Sequence, residues 1–106
     1  MQILIVNFNL DGRSESDDEH LCDEVAPAFA DVPGLQSKVW LADRAEGIFG
    51  GVYTFESEEA ADGFLASELF AGVGATPGLV NFSVRRFDVL EGPTRVTRGM
   101  ATPASV

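Results

Sequence analysis

Residues 35–43 and 48–56, LQSKVWLAD and IFGGVYTFE, decide the fold of this chain. Both segments are rich in β-branched and aromatic residues, which is typical of strands. The short connection at residues 44–47 is mostly polar and ends in glycine, and it therefore indicates a hairpin. The middle of the chain thus predicts two neighbouring antiparallel strands.

One further strand is predicted towards each end of the chain. Residues 2–10, QILIVNFNL, and residues 79–90, LVNFSVRRFDVL, have the same apolar and β-branched character as the central pair. Asp11-Gly12 ends the first of these strands, because this dipeptide favours a turn.

Two helices are predicted to connect the outer strands to the hairpin. The first begins at a capping box that runs from Ser16 to Glu19 and carries an apolar stripe. Pro27 is expected to kink this helix or to end its first part. The second helix begins after Ser57, and Gly72 and Gly74 are expected to stop it.

The predicted order is therefore β-α-β-β-α-β, an α+β ferredoxin-like fold with an antiparallel sheet. Its strands carry apolar side chains on both faces: Leu4 and Val6 lie on one face of the first strand, and Ile3 and Ile5 on the other. Two helices cover only one face of such a sheet. We expect a second copy of the sheet to cover the other, which predicts a homodimer and a dimeric α+β barrel.

The length and the net charge of the chain bound its domain organisation and its possible partners. The chain has 106 residues, which we divide into one domain at 1–92 and a tail at 93–106 that is flexible or packed on the partner subunit. The net charge of −10 argues against nucleic acid and against an anionic membrane surface as partners. No leader or spanning segment is evident, so the predicted location is cytoplasmic.

Several short motifs together resemble the YdhR-like family of monooxygenases. They are Pro33-Gly34, then residues 38–40 (KVW), then residues 50–55 (GGVYTF), then residues 87–89 (FDV), with Pro27 inside the first helix. Each motif alone is common, whereas their order and spacing are fairly specific. The resemblance extends over most of the chain.

The resemblance implies a ferredoxin-like monomer whose sheet pairs with a second copy into a barrel. It also implies kinship with cofactor-independent monooxygenases of antibiotic biosynthesis and with quinol monooxygenases. At the position that matches Asn7 the family carries a polar residue, often histidine. Related haem-degrading barrels pair an asparagine on this strand with a helical histidine. His20, the sole histidine, starts the first helix and does not match, so haem degradation is disfavoured.

Two residues are the catalytic candidates. Asn7 places an amide in an apolar strand, where it must find a partner, and a substrate oxygen or O₂ is one such partner. The alternative for Asn7 is a backbone hydrogen bond near the strand end. Trp40 lies among polar neighbours, which indicates a pocket wall or a dimer seam, and ordinary core packing is an equal alternative.

Four residues are the substrate-binding candidates. Lys38, the sole lysine, is able to hold an anion, although a salt bridge to a nearby carboxylate is the simpler interpretation. Tyr53 and Phe55 are expected to form an aromatic wall or part of the core. Arg86 is expected to reach a ligand carboxylate or to pair with Asp88.

No cofactor and no metal are expected. The chain has one cysteine and one histidine, Cys22 and His20, which excludes a cysteine-rich or histidine-rich metal site. The glycines at 72, 74 and 78 follow a helix rather than a strand, so they do not form a dinucleotide-binding loop. The acidic run at 15–24 is interpreted as a solvated helix face, and Cys22 as a small core residue.

The leading function is therefore a cofactor-independent monooxygenase for a small planar aromatic or quinol-like molecule. Two alternatives remain open at this stage: a non-catalytic barrel that binds small molecules or responds to stress, and an isomerase or cyclase of the same superfamily. The first alternative needs no turnover, and the second needs an acid or base but no O₂.

Overall fold

The computed structural model describes residues 1–100. Four strands form one antiparallel sheet in the order β2-β3-β1-β4. The strands are β1 (Gln2–Leu10), β2 (Leu35–Asp43), β3 (Ile48–Phe55) and β4 (Leu79–Asp88). The helices are α1 (Glu15–Ala30), α2 (Glu58–Leu65), α3 (Glu68–Gly74) and α4 (Glu91–Val96). The predicted α+β ferredoxin-like fold is confirmed.

Helix α1 begins two residues earlier than the capping-box prediction, which was wrong in this detail. Ser14, not Ser16, is the cap, and its hydroxyl accepts a hydrogen bond from the Asp17 N–H at 3.0 Å. This start also brings Glu15 and Asp17 into the first turn, where the helix dipole favours negative charge. Pro27 does not end the helix, which continues to Ala30.

The second predicted helix is divided into α2 and α3 by a break at Ala66 and Ser67. The Ser67 hydroxyl donates to the Phe64 carbonyl at 2.6 Å and accepts from the Phe70 N–H at 3.2 Å. One serine hydroxyl therefore provides a hydrogen-bond partner for a backbone carbonyl at the end of α2 and for a backbone N–H at the beginning of α3. The sequence prediction missed the break because both halves contribute to one apolar face.

The C-terminal segment forms helix α4, which crosses the boundary that the sequence prediction placed at residue 92. It lies beside the beginning of β1, where the Val89 N–H donates to the Met1 carbonyl at 3.1 Å. The predicted tail continues beyond residue 100 and there lies outside the described residues. No helix within residues 1–100 has the length and apolar character needed to span a membrane.

The two faces of the sheet differ in how they are covered. Leu4, Val6 and Phe55 point to the helices and are fully buried in the main core. On the opposite face, Ile5 and Val39 both pair with Val52 and form an apolar row across three strands. Val39 is 58% exposed. The prediction that both faces are apolar is confirmed. Within residues 1–100, α4 borders this face only at its Ile3 and Thr54 end, and the rest is the uncovered face.

Arg86 joins the sheet to α2 through a set of charged and polar contacts. Its guanidinium donates to Asp62 Oδ1 at 2.7 Å and to Gln2 Oε1 at 2.7 Å, and Gln2 Nε2 donates to Asp88 Oδ1 at 2.7 Å. The Arg86 side chain is about one-third exposed. The arrangement is therefore a structural anchor between β4, β1 and α2.

We expect Arg86→Met to lower the free energy of unfolding by about 1–2 kcal/mol, because it leaves Gln2 and Asp62 without their shared partner. The matched control is Arg95→Met. Arg95 is exposed and contacts Glu91 only at 3.8 Å, so its loss should change stability by less than about 0.5 kcal/mol. Urea unfolding of both variants measures the difference. Equal effects would show that Arg86 is not an anchor.

Candidate functional site

A cavity of about 300 Å³ lies between the sheet and helices α1 and α3. Its volume is at the lower end of the range for small-molecule sites. Most of its walls are apolar side chains and glycines. The lining side chains that carry polar atoms are Asp18, Cys22, Lys38, Trp40, Tyr53, Glu68 and Thr76. Trp40, which was expected at a pocket wall or a dimer seam, is part of this lining.

The amine of Lys38 is held within a set of three aromatic rings. Its Nζ lies 3.3 Å from the ring centroid of Trp40, 3.5 Å from that of Phe29 and 4.6 Å from that of Tyr53. Phe29 and Trp40 themselves meet edge to face at 5.4 Å. We call Phe29, Trp40 and Tyr53 the aromatic cage. Its three rings come from α1, β2 and β3, so tertiary folding assembles it.

Gly51 makes room for the Lys38 side chain to lie across β3. In the register of the hairpin, Trp40 is opposite Gly51, and Lys38 is opposite Tyr53. A Cβ atom at position 51 would lie 2.8 Å from Lys38 Cε and 3.3 Å from Tyr53 Cε1. The glycine therefore opens the space that the lysine stem occupies.

Lys38 lacks the salt bridge that the sequence offered as its simpler role. No ion pair within residues 1–100 includes it. Burial lowers the pKa of Lys38 from its ordinary 10.5 to about 7, and the nearby Cys22 opposes this only in part. Ring faces attract the ammonium, but they do not replace a carboxylate. The amine therefore exchanges its proton near neutral pH.

Tyr53 and Cys22 keep their protons at neutral pH. Burial raises the pKa of the Tyr53 hydroxyl well above its ordinary value, with Cys22 as a smaller cause. Burial also raises the pKa of the Cys22 thiol, and Asp18 adds to this effect. Both groups can therefore act as hydrogen-bond donors in the cavity, while neither is disposed to act as an anion.

Asp18 is a cavity residue that sequence reasoning missed. It was included in the acidic run read as a solvated helix face, yet its residue is only 6% exposed and lines the cavity. Burial raises the pKa of its carboxyl group, Arg13 counteracts this, and Glu19 adds to it. The available signal was its position: with α1 begun at Glu15, Asp18 lies on the same helical stripe as Leu21, Cys22 and Val25.

We expect Asp18→Asn to raise the stability of the protein at pH 7 by about 0.5–1 kcal/mol, a gain that the lost attraction to Arg13 keeps small. The folded-state pKa lies above the ordinary 3.8, so wild-type stability falls as pH rises through the interval between them. Asparagine has no ionised form, so it has no cost of burying a charge. The free energies of unfolding of both proteins at pH 3.5 and pH 7 give the difference in stability. An advantage confined to pH 3.5 would contradict the assignment.

The predicted site residues fall into two groups. Trp40, Lys38 and Tyr53 line the cavity together. Phe55 is fully buried and stacks on Tyr53 at 6.1 Å, so it supports the cage from within the core. Arg86 does not line the cavity, and its guanidinium binds Asp62 and Gln2. Asn7 lies on the uncovered face of the sheet, where its amide donates to the Phe49 carbonyl at 3.4 Å.

This cavity, on this fold, can be compared with known proteins. The sequence model of the family described as "Putative mono-oxygenase ydhR" matches residues 3–100. The chain belongs to this family. The resemblance seen in the sequence motifs is thereby confirmed. No curated protein matches the chain in sequence.

Several solved structures share the architecture of this ydhR family member at low sequence identity. SnoaB, a cofactor-independent oxygenase from Streptomyces nogalater, has 20% identity and a TM-score of 0.67, with 85% of this chain and 94% of that chain covered. The haem degrader MhuD from Mycobacterium tuberculosis, with two haems bound in its active site, has 19% identity, a TM-score of 0.69 and coverages of 85% and 96%. A protein from Deinococcus radiodurans described as a putative antibiotic biosynthesis monooxygenase has 13% identity, a TM-score of 0.69 and coverages of 87% and 95%. These likenesses confirm the fold.

The residues of this ydhR family member do not fit a haem. His20 is exposed and does not line the cavity. Cys22 does line it, but its raised thiol pKa disfavours the thiolate that an iron would need. Within residues 1–100, no group of three or more metal-ligating side chains is placed to hold an ion.

Proposed function

We propose that this protein is a cofactor-independent monooxygenase that acts on a small planar aromatic or quinol-like substrate. The observation that carries the proposal is the Lys38 amine, held in the aromatic cage at the wall of an apolar cavity. Membership of the ydhR family supports oxygenase chemistry. The cytoplasmic location expected from the sequence belongs to the same proposal.

The reaction needs a substrate that reduces O₂ once it is an anion. Lys38, neutral in part at pH 7, takes the proton of a phenol or enol, and the ammonium then faces the anion. The anion transfers an electron to O₂, and the two radicals combine at carbon. One oxygen atom stays on that carbon as a carbonyl or hydroxyl oxygen. The other leaves as water, so a quinol and O₂ give a hydroxyquinone and water without an added reductant.

The cavity walls supply the rest of what this chemistry requires. Trp40 and Phe29 offer faces and edges against which a planar ring stacks. Tyr53 keeps its proton and is able to donate to a developing oxyanion. The apolar lining excludes water from the anion, which strengthens its interaction with Lys38. The oxygen-holding role expected for Asn7 has no support from its position on the uncovered face.

Oxygen consumption tests the proposal. A panel of hydroquinones, naphthoquinols and anthrone is supplied to the metal-free protein in an oxygen electrode, and the products are analysed for one added oxygen atom. Lys38→Met is expected to lower the rate at least about 100-fold. Trp40→Leu is expected to lower it about tenfold.

The matched control is Arg95→Met, which removes an exposed cation far from the cavity and should keep the wild-type rate. Ligand binding without oxygen consumption would show that the protein is a carrier and not an oxygenase. Turnover that continues without O₂ would show that it is an isomerase or cyclase.

We also propose that the protein is a homodimer through the uncovered face of the sheet. The apolar row of Ile5, Val39 and Val52 supports this, because single chains rarely expose such a strip on a sheet face. Val39→Asp should convert the dimer to monomers in analytical ultracentrifugation. Ala71→Asp is the control: Ala71 is exposed on α3, which packs on the opposite face of the sheet, so the dimer should persist. A folded wild-type monomer at micromolar concentration would refute the proposal.

A further inference from the structure

Lys38 is the sole lysine of the chain, and its position is unusual for a lysine. Most lysine amines extend into water, whereas this one is enclosed by three rings and lines a cavity. No ion pair within residues 1–100 neutralises it. An amine in such a place has lost much of its hydration, and a neutral amine carries a free lone pair.

We propose that Lys38 is a carbonyl-reactive amine, and that the cavity binds aromatic aldehydes or ketones as Schiff bases at Nζ. The nitrogen lone pair attacks the carbonyl carbon and forms a carbinolamine. The carbonyl oxygen then leaves as water with the two hydrogens of the neutral amine, and a C=N bond remains. The step is a condensation, so it consumes no oxidant and no reductant.

The surroundings of Lys38 favour this condensation. The titratable groups that face the amine are Cys22 from α1 and Tyr53 from β3, and both are neutral at pH 7 because burial raises the pKa of each. Asp18 and Glu68 lie elsewhere on the cavity wall, and neither is paired with the amine. Since the pKa of Lys38 is about 7, much of the amine is unprotonated at neutral pH.

The aromatic cage also determines which carbonyl compounds fit. The Nζ atom is 3.3 Å from the Trp40 ring centroid and 3.5 Å from that of Phe29. A planar aryl group bonded to the imine carbon would contact the same rings, while a small aliphatic group would leave them uncovered. Gly51 leaves the space in which the lysine stem lies, and so holds Nζ at the cavity wall.

This inference uses the same cavity as the proposed oxygenase, but it does not depend on it. Schiff-base formation requires the neutral amine and no O₂, whereas oxygenase turnover requires O₂ and an ionisable substrate. The test is therefore carried out anaerobically and without any quinol, and oxygen consumption is measured separately. A negative result in one experiment leaves the result of the other unaffected.

The test is reductive trapping with 2-naphthaldehyde and cyanoborohydride, followed by peptide mapping. The protein has two amines, Lys38 and the N-terminal amine of Met1, so the second is an internal reference. An ordinary lysine is almost fully protonated at pH 7.5 and therefore reacts slowly. We expect Lys38 to react at least as fast as the N-terminus, with a half-maximal rate near pH 7.

Two comparisons strengthen the test. Lys38→Arg should lose the internal adduct and keep the N-terminal one; if that variant does not fold, the peptide map and pH profile of the wild type decide alone. Propanal in place of naphthaldehyde should lower the ratio of Lys38 to N-terminal labelling roughly tenfold. Labelling confined to the N-terminus, or a ratio that is the same for both aldehydes, would overturn the proposal.

Discussion

Gly50→Ala is expected to destabilise the protein by about 4 kcal/mol or more, the range in which a small domain often fails to fold. Gly50 has a φ of +148°, which L side chains rarely adopt. A Cβ atom there would lie 1.9 Å from the Val6 carbonyl oxygen, well inside contact distance. Because Gly50 pairs with Asn7 between the two central strands, neither strand can move away without breaking the sheet.

The matched control is Gly63→Ala in α2. A Cβ atom at position 63 has nothing within 4 Å, and alanine favours a helix, so stability should rise by about 0.5–1 kcal/mol. Urea unfolding with far-ultraviolet circular dichroism measures both variants. A Gly50→Ala protein that unfolds within about 1 kcal/mol of wild type would show that the β1–β3 register is not the one described here.

Lys38→Met is expected to stabilise the protein at pH 6 by about 1–2 kcal/mol, a gain reduced by the open side of the cavity and by the lost ring contacts. The folded-state pKa of Lys38 is about 7, below its ordinary 10.5. Between these values the unfolded chain binds a proton that the folded chain lacks, so wild-type stability rises with pH. The advantage of the methionine variant should therefore be full below pH 7 and shrink towards pH 10.

Unfolding at pH 6, 7.5 and 9 measures this trend. Arg95→Met controls for the loss of any positive charge from a chain of net charge −10, and its effect should not change sign or size over the same interval. Cys22 and Tyr53 titrate at higher pH in both proteins, which is why the series stops at pH 9. An advantage that stays constant from pH 6 to pH 9 would mean that Lys38 remains charged in the folded state.

The strands could be predicted closely from the sequence because their apolar runs are bounded by clear turn signals. The β1 and β2 predictions agree with the structure at both ends, and β3 and β4 end slightly earlier than predicted. The break at Ser67 was missed because a serine that caps one helix and begins the next has no distinct periodicity. The cap at Ser14 was misplaced because several serines and acids nearby suit the same role.

The site was only partly predictable, because three elements distant in sequence build it. Trp40, Lys38 and Tyr53 share one face of a hairpin, so strand alternation was sufficient to group them. Phe29 and Asp18 join them from α1, and no local pattern reveals which helical residues will face a cavity. Strand alternation places Asn7 on the same face as Ile3 and Ile5, and the structure agrees, so Asn7 lies opposite the cavity.

The aromatic cage contains the sole tryptophan of the chain, which gives the cavity its own optical signal. Trp40 is 37% exposed and borders the cavity as well as two clefts between α1 and β2. Its indole emission therefore responds to any guest that displaces water from the ring, and to the protonation of the amine 3.3 Å from its centroid. Fluorescence titration of the unlabelled protein consequently reads cavity occupancy and Lys38 ionisation from a single chromophore.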